Sequence, residues 1–146
     1  MNKLKWWMRI VGGFNLFLGV ANVIVLLAAP SFYERNMPYA AGENVTRAFG
    51  DAWMAFVLDL VAVGLFLLWA SRKPAANINV VYLVVLMEFL HGIVDDGFLI
   101  ARGYSASGYI AFIGVHLAVI ITGIVFARSA SRELEASSQD RVPETV

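Results

Sequence analysis

Four side chains in this sequence are best placed to do chemistry: Asp59, Glu88, His91 and His116. Each sits inside an apolar stretch. A titratable group in hydrocarbon costs about 2.5–3.5 kcal/mol even on the lenient insertion scale, so each needs a partner or a use. Counted at about 1.5 Å per residue from the ends of their stretches, all four fall near one depth, although they belong to three different segments. A carboxylate beside an imidazole can relay a proton, work as a general acid–base pair, hold the carbonyl or hydroxyl of a bound molecule, or ligate a metal. Glu88 and His91 form a Glu-x-x-His unit. Carboxylate-bridged di-metal bundles use that unit twice with two further glutamates, whereas here it occurs once. A mononuclear centre of Asp59, Glu88, His91 and His116, or a double-bond isomerisation by a His–carboxylate pair, would suit the residue types. No motif specifies either, and the set is assigned no metal.

The spacing predicts which faces these groups share. Glu88, His91 and Asp95 follow i, i+3, i+7, within a sector of about 60° at about 100° per residue, and that face is expected to turn inward. Asp96 falls off the sector and is expected nearer the outer water, paired with Arg102 or Arg47. The first stretch carries Gly12, Asn15, Gly19 and Asn22 on one stripe, where small residues allow close helix approach and the carboxamides can bridge or cap the cluster. The second sets Ala52, Ala55, Ala62 and Ala70 around Asp59; the fourth sets His116 above Gly123 and Ala127. The expected ligand-binding set is therefore Asp59, Glu88, His91, His116, Asn15, Asn22 and Asp95. The competing reading is structural. Asn15, Asn22 and Thr122 would be hydrogen-bonding glue between helices, and Asp59–His116 or Glu88–His91 would be buried pairs. One pair would suffice for packing, so four groups at one depth favour a shared site.

The elements that must position them follow from composition. Of 146 residues, 60% are apolar and only 15% charged, with a formal net charge of +0 and 0 Cys. That balance excludes a disordered chain, offers no global field for nucleic acid, and leaves no disulfide framework or thiolate. Four stretches approach the roughly 20 residues of a bilayer crossing: 10–29, 49–70, 79–100 and 109–127. The basic front, from Lys3 to Arg9, resembles a signal peptide, but the apolar run is too long and lacks an A-x-A site, so an uncleaved anchor is expected. Eight basic residues lie at the N-terminus, the second loop and the C-terminal tail, against three (Arg35, Arg47, Arg102) in the other loops. The positive-inside rule then places both termini in the cytoplasm. The fold class is all-α: an antiparallel four-helix transmembrane bundle over residues 1–128, in contact with the bilayer, with a polar, largely mobile cytoplasmic tail over 129–146. Ser129 to Glu135 is expected to prolong the last helix by a turn or two. Asn77 is a candidate N-cap, and the loop from Pro30 to Ala48 has room for a short interfacial helix or a lid. Gly12 and Gly19 could serve contacts within a protomer or in a homo-oligomer.

Two segments carry a family resemblance: Lys5-Trp6-Trp7-Met8-Arg9-Ile10-Val11-Gly12-Gly13-Phe14 at the first span, and Gly92-Ile93-Val94-Asp95-Asp96-Gly97-Phe98-Leu99-Ile100-Ala101-Arg102-Gly103-Tyr104 at the end of the third. Over residues 5 to 128 the chain resembles the BphX-like proteins, small bacterial four-span membrane proteins similar in layout to the broader DoxX-like group. The resemblance implies an inner-membrane protein, sometimes encoded beside aromatic-degradation enzymes. It implies no settled activity and carries over no catalytic residue. The DoxX-like group is linked to quinone-dependent redox chemistry, which favours a pocket. The function expected is an accessory or binding protein whose midplane pocket holds a small apolar ligand, such as a quinone or an aromatic compound. The alternative is a membrane-embedded redox enzyme or isomerase acting on a lipid-soluble substrate.

Overall fold

The computed structural model describes residues 1–39 and 42–139, and these contain helices and no strand. Helix α1 (Asn2–Ala28) stops just before Pro30, because a proline disfavours helical backbone in the residue ahead of it. The short α2 (Ser31–Asn36) follows. Helix α3 (Glu43–Ala70) begins six residues before the predicted 49, with Glu43 in its first turn, where the helix dipole favours a carboxylate. The third crossing starts as a 3₁₀ turn, Pro74–Asn77, and continues as α4 (Ile78–Met87), a π-helical segment Glu88–Val94 and α5 (Asp95–Ala101). The last helix, α6 (Ala106–Gln139), runs about one turn past Glu135. The part of the tail from Asp140 to Val146 lies outside the described residues. Asn77 occupies the N-cap position of α4, but its side chain makes no capping bond; its amide donates back to the carbonyls of Lys73 and Ala70.

Four helical stretches are long and apolar enough to cross a membrane: Asn2–Ala28, Glu43–Ala70, Pro74–Ala101 and Ala106–Ser137. Their outer faces present large apolar side chains, among them Ile10, Phe17, Leu65, Leu86 and Ile121. In water such a surface would be an aggregation liability; against lipid it is the required one.

Helices α1 and α3 meet backbone to backbone. A Cβ on Gly12 would stand 2.9 Å from Leu67 Cβ and 3.0 Å from the Gly64 carbonyl, and one on Gly19 would stand 2.6 Å from Val61 Cγ2. Both glycines therefore serve contacts within the chain. The seam on α3 is Val57, Val61, Gly64 and Leu67; the expected stripe of Ala52, Ala55 and Ala62 is exposed, and only Ala70 is buried. Gly64 decides this, since its missing side chain admits the backbone of Leu16.

The tight core gathers at one end of the molecule, around Leu4, Trp7, Met8, Leu67, Val81 and Ala127. Trp7 lies over Gly123 and donates its indole N–H to Thr122 Oγ1 at 3.0 Å. Thr122 is thus glue between helices, as expected. Asn15 and Asn22 instead donate to carbonyls of their own helix, Val11 and Leu18. Towards the other end the helices spread around a cavity.

Candidate functional site

The cavity holds about 500 Å³, within the range of small-molecule sites. All seven residues of the expected set border it. They do not form one cluster. The close contact joins Glu88 and His116, with Oε2 2.5 Å from Nδ1. This is neither of the pairs anticipated, Asp59–His116 or Glu88–His91. Asp59 is exposed at the cavity edge and makes no hydrogen bond or ion pair among the described residues. His91 is also exposed and packs edge-on to Phe56, ring centroids 5.7 Å apart. Neither asparagine caps the pair; Asn22 Oδ1 accepts from the Tyr33 hydroxyl of α2 at 2.7 Å.

The π-helical segment explains the rearrangement. A π-turn closes on i→i+5 bonds and so takes about 4.4 residues rather than about 3.6. At that pitch residues three apart diverge, and Glu88 and His91 separate. Residues four apart align, which stacks Glu88, Gly92 and Asp96. Beyond the segment every side chain lags by about one position, so Asp96 takes the direction predicted for Asp95. Asp96 is accordingly buried, 6% exposed, and not paired with Arg102 or Arg47. Its Oδ2 stands 3.8 Å from His116 Nε2.

His116 lies across this row. A Cβ on Gly92 would fall 2.2 Å from His116 Cγ and 2.4 Å from Nδ1, so glycine is needed for the ring to rest on the helix backbone. The imidazole thus has Glu88 at one nitrogen, Gly92 beneath it and Asp96 towards the other. Asp96 and Gly92 were not in the expected set. The signal available for Gly92 was its spacing of four from Glu88, which ordinary helical pitch already puts on one face. Asp96, eight residues on, lies about 80° from Glu88 at that pitch and comes into line with it where the helix widens.

Aromatic rings form another part of the wall. Phe49, Trp53 and Phe56 follow i, i+4, i+7 on α3; Phe49 stacks on Trp53 at 5.5 Å, Trp53 meets Phe56 tilted at 4.7 Å, and the row continues to Tyr33 on α2 at 5.7 Å from Phe49. Tyr33, Phe32 and Met37 bring α2 and the turn after it over the cavity. Burial raises the Tyr33 phenol above the usual tyrosine range; the nearby Trp53 N–H offsets this in part but falls short of proper hydrogen-bond geometry. Across the mouth, Tyr39 and Tyr104 share a hydrogen bond of 3.2 Å. With burial and the neighbouring tyrosines, that bond pushes the Tyr104 phenol up to about 12. Among the described residues two buried side-chain atoms have no hydrogen-bond partner, Trp53 Nε1 and Asp96 Oδ2, and both residues border this cavity. No three His, Asp or Glu side chains among the described residues are grouped so as to hold a metal ion.

A second hollow of about 430 Å³ lies between α3 and the third crossing, lined by Trp53, Phe56, His91, Val94 and Phe98 among others. It shares Trp53, Phe56, His91 and Asp95 with the main cavity. These four residues therefore border both spaces.

Helices of this length and hydropathy define a multi-pass membrane protein, and they enclose a largely apolar cavity bordered by the Glu88–His116 contact. The chain belongs to the BphX-like family, whose model matches residues 1–132. No curated protein and no solved structure matches it.

Proposed function

We propose that this is a binding protein of the bacterial inner membrane whose cavity holds a small lipid-soluble molecule, of the size and character of a quinone or a simple aromatic compound. The single observation that carries this reading is the chemistry of the cavity wall. A row of aromatic rings and two unpartnered buried polar atoms border one space of ligand size. Buried polar atoms are nearly always satisfied, and an apolar space with a few converging polar groups is the usual form of a small-molecule site. The ligand would reach it from the bilayer, through the hollow between α3 and the third crossing, past Phe56 and His91. Asp95 would line the route, Asp59 the edge of the cavity itself, and Asn15 and Asn22 the floor beside α1.

The bundle would be antiparallel with both termini cytoplasmic, as the eight-to-three distribution of basic residues supports. A reporter fused after Ala127 should then signal the cytoplasm, and one in the Pro30–Ala48 loop the outside. The reverse result would overturn the orientation. Native mass spectrometry of the purified protein tests the binding itself. A stoichiometric, lipid-extractable small molecule, lost on filling the cavity with Phe at Leu60 and Leu99, would support it. A protein that never carries or takes up such a molecule would rule it out.

A second reading has its own observation. The 2.5 Å contact between Glu88 and His116 is a general acid–base arrangement, and a membrane-embedded isomerase or redox enzyme could use it. Turnover of the co-purified compound, abolished by His116→Gln with binding retained, would favour that reading over simple binding.

A further inference from the structure

Asp96 is the most demanding side chain in the interior. It is nine-tenths buried, borders the cavity and leaves Oδ2 without a hydrogen-bond partner. His116 Nε2, at 3.8 Å, is too far to hydrogen-bond to it. The ring is held against closing the gap, because Glu88 grips Nδ1 and the Gly92 backbone lies against Cγ and Nδ1. Two polar atoms 3.8 Å apart are spaced for one bridging atom, since an oxygen about 2.8 Å from each completes the triangle with ordinary hydrogen-bond lengths.

Resting on the cavity's role as a binding site, we infer that Asp96 and His116 together recognise a hydroxyl group, so the occupant is a lipid-soluble phenol or similar hydroxyl-bearing aromatic. The carboxylate oxygen only accepts. Where Nε2 carries a hydrogen, a hydroxyl oxygen accepts it and passes its own hydrogen to Oδ2. Where Nε2 is bare, the same hydrogen serves one of two acceptors. A carbonyl or an ether supplies no hydrogen and sets its oxygen against that of Asp96. With Asp96 ionised, the site selects the quinol over the quinone. An aliphatic alcohol would meet the polar end equally well, but the Phe49–Trp53–Phe56 row favours a flat ring. The sequence alone did not show this, because at α-helical pitch Asp96 lies about 110° from the centre of the Glu88–His91–Asp95 sector.

The test uses the full chain in lipid nanodiscs and three matched probes: 4-nonylphenol, its methyl ether and nonylbenzene. Binding is read by quenching of tryptophan fluorescence at equal probe concentration in the bilayer. The phenol should bind at least about tenfold more tightly than the other two, as for a hydrogen bond to a charged acceptor. Asp96→Leu, of similar volume, should bring the three within about twofold of one another without weakening the ether. If that variant does not fold, Asp96→Asn, with a neutral acceptor, should still cut the preference at least about threefold. Equal binding of all three probes by the wild-type protein, or a preference that survives both substitutions, would overturn hydroxyl recognition while leaving the cavity a binding site. Binding of none of the three would overturn both.

Discussion

Gly92→Ala is the sharpest probe of the site, because a single methyl group tests the whole arrangement. The new Cβ would fall 2.2 Å from His116 Cγ and 2.4 Å from Nδ1. Non-bonded carbon atoms settle at about 3.5–4.0 Å, so the ring must retreat by about 1.3 Å or more. The Nδ1–Oε2 distance of 2.5 Å would then grow to about 2.8 Å if the ring lifts at right angles to that contact and to about 3.8 Å if it moves along it, so the bond is distorted in the first case and lost in the second. Losing a hydrogen bond to a charged partner costs about 1.5–3 kcal/mol, and overpacking adds about 1–3 kcal/mol. Alanine returns at most about 1 kcal/mol through its better helix propensity. The net expectation is a destabilisation of about 2–5 kcal/mol, together with loss of probe binding. Reversible unfolding in mixed micelles measures the first, and quenching of tryptophan fluorescence by a bound phenol measures the second. Gly97→Ala is the control, since nothing lies within 4 Å of its would-be Cβ on the same crossing; it should be neutral or slightly stabilising. If Gly92→Ala unfolds and binds like Gly97→Ala, His116 does not rest on that backbone and the reasoning fails.

Other expectations concern separate parts of the molecule. Gly64→Ala would place a Cβ 2.6 Å from Leu16 N and 2.8 Å from Gly12 O, backbone atoms that cannot swing aside, so α1 and α3 must part and unfolding should become easier by roughly 2 kcal/mol or more. Tyr104, with its phenol pushed up to about 12 from the ordinary 10.0, should ionise late in a phenolate absorbance titration, and Tyr39→Phe should bring it down. The sign follows: a raised folded-state value gives stability that is whole below about pH 10 and lost as pH climbs towards about 12. An unchanged titration in the variant would contradict the Tyr39 contact. Val94→Trp, which narrows the hollow between α3 and the third crossing, should slow uptake and release of a bound probe several-fold while leaving Kd within about twofold. Unaltered kinetics would close that route.

The four crossings were legible because hydrocarbon imposes two simple demands, length and polarity, that composition reports directly. The Gly12–Gly19 stripe was legible for a similar reason: close backbone approach requires small residues at helical spacing, and Gly64 completes it from the other side. On α3, by contrast, alanine proved a poor guide. Ala52, Ala55 and Ala62 are as compatible with lipid as with packing, and no sequence rule ranks one glycine above three alanines.

The site was only half legible, for one physical reason. Reading side-chain directions at about 100° per residue assumes a helix of constant pitch, and the third crossing does not have one. Glu88–Val94 widens into a π-helical segment, and with that one change Glu88 leaves His91, Asp96 joins Asp95 at the cavity wall, and Gly92 lies against His116. Such segments are uncommon and tend to occur where function keeps them. Here the polar groups supply the reason. At regular α-helical pitch Asp96 would sit about 110° from the centre of the Glu88–His91–Asp95 sector, nearer the outer water. The widened turn brings it to the cavity, within 3.8 Å of an imidazole already held by Glu88. The irregular backbone and the buried carboxylate are thus consequences of one another, and a substitution that restored regular pitch should disturb both together.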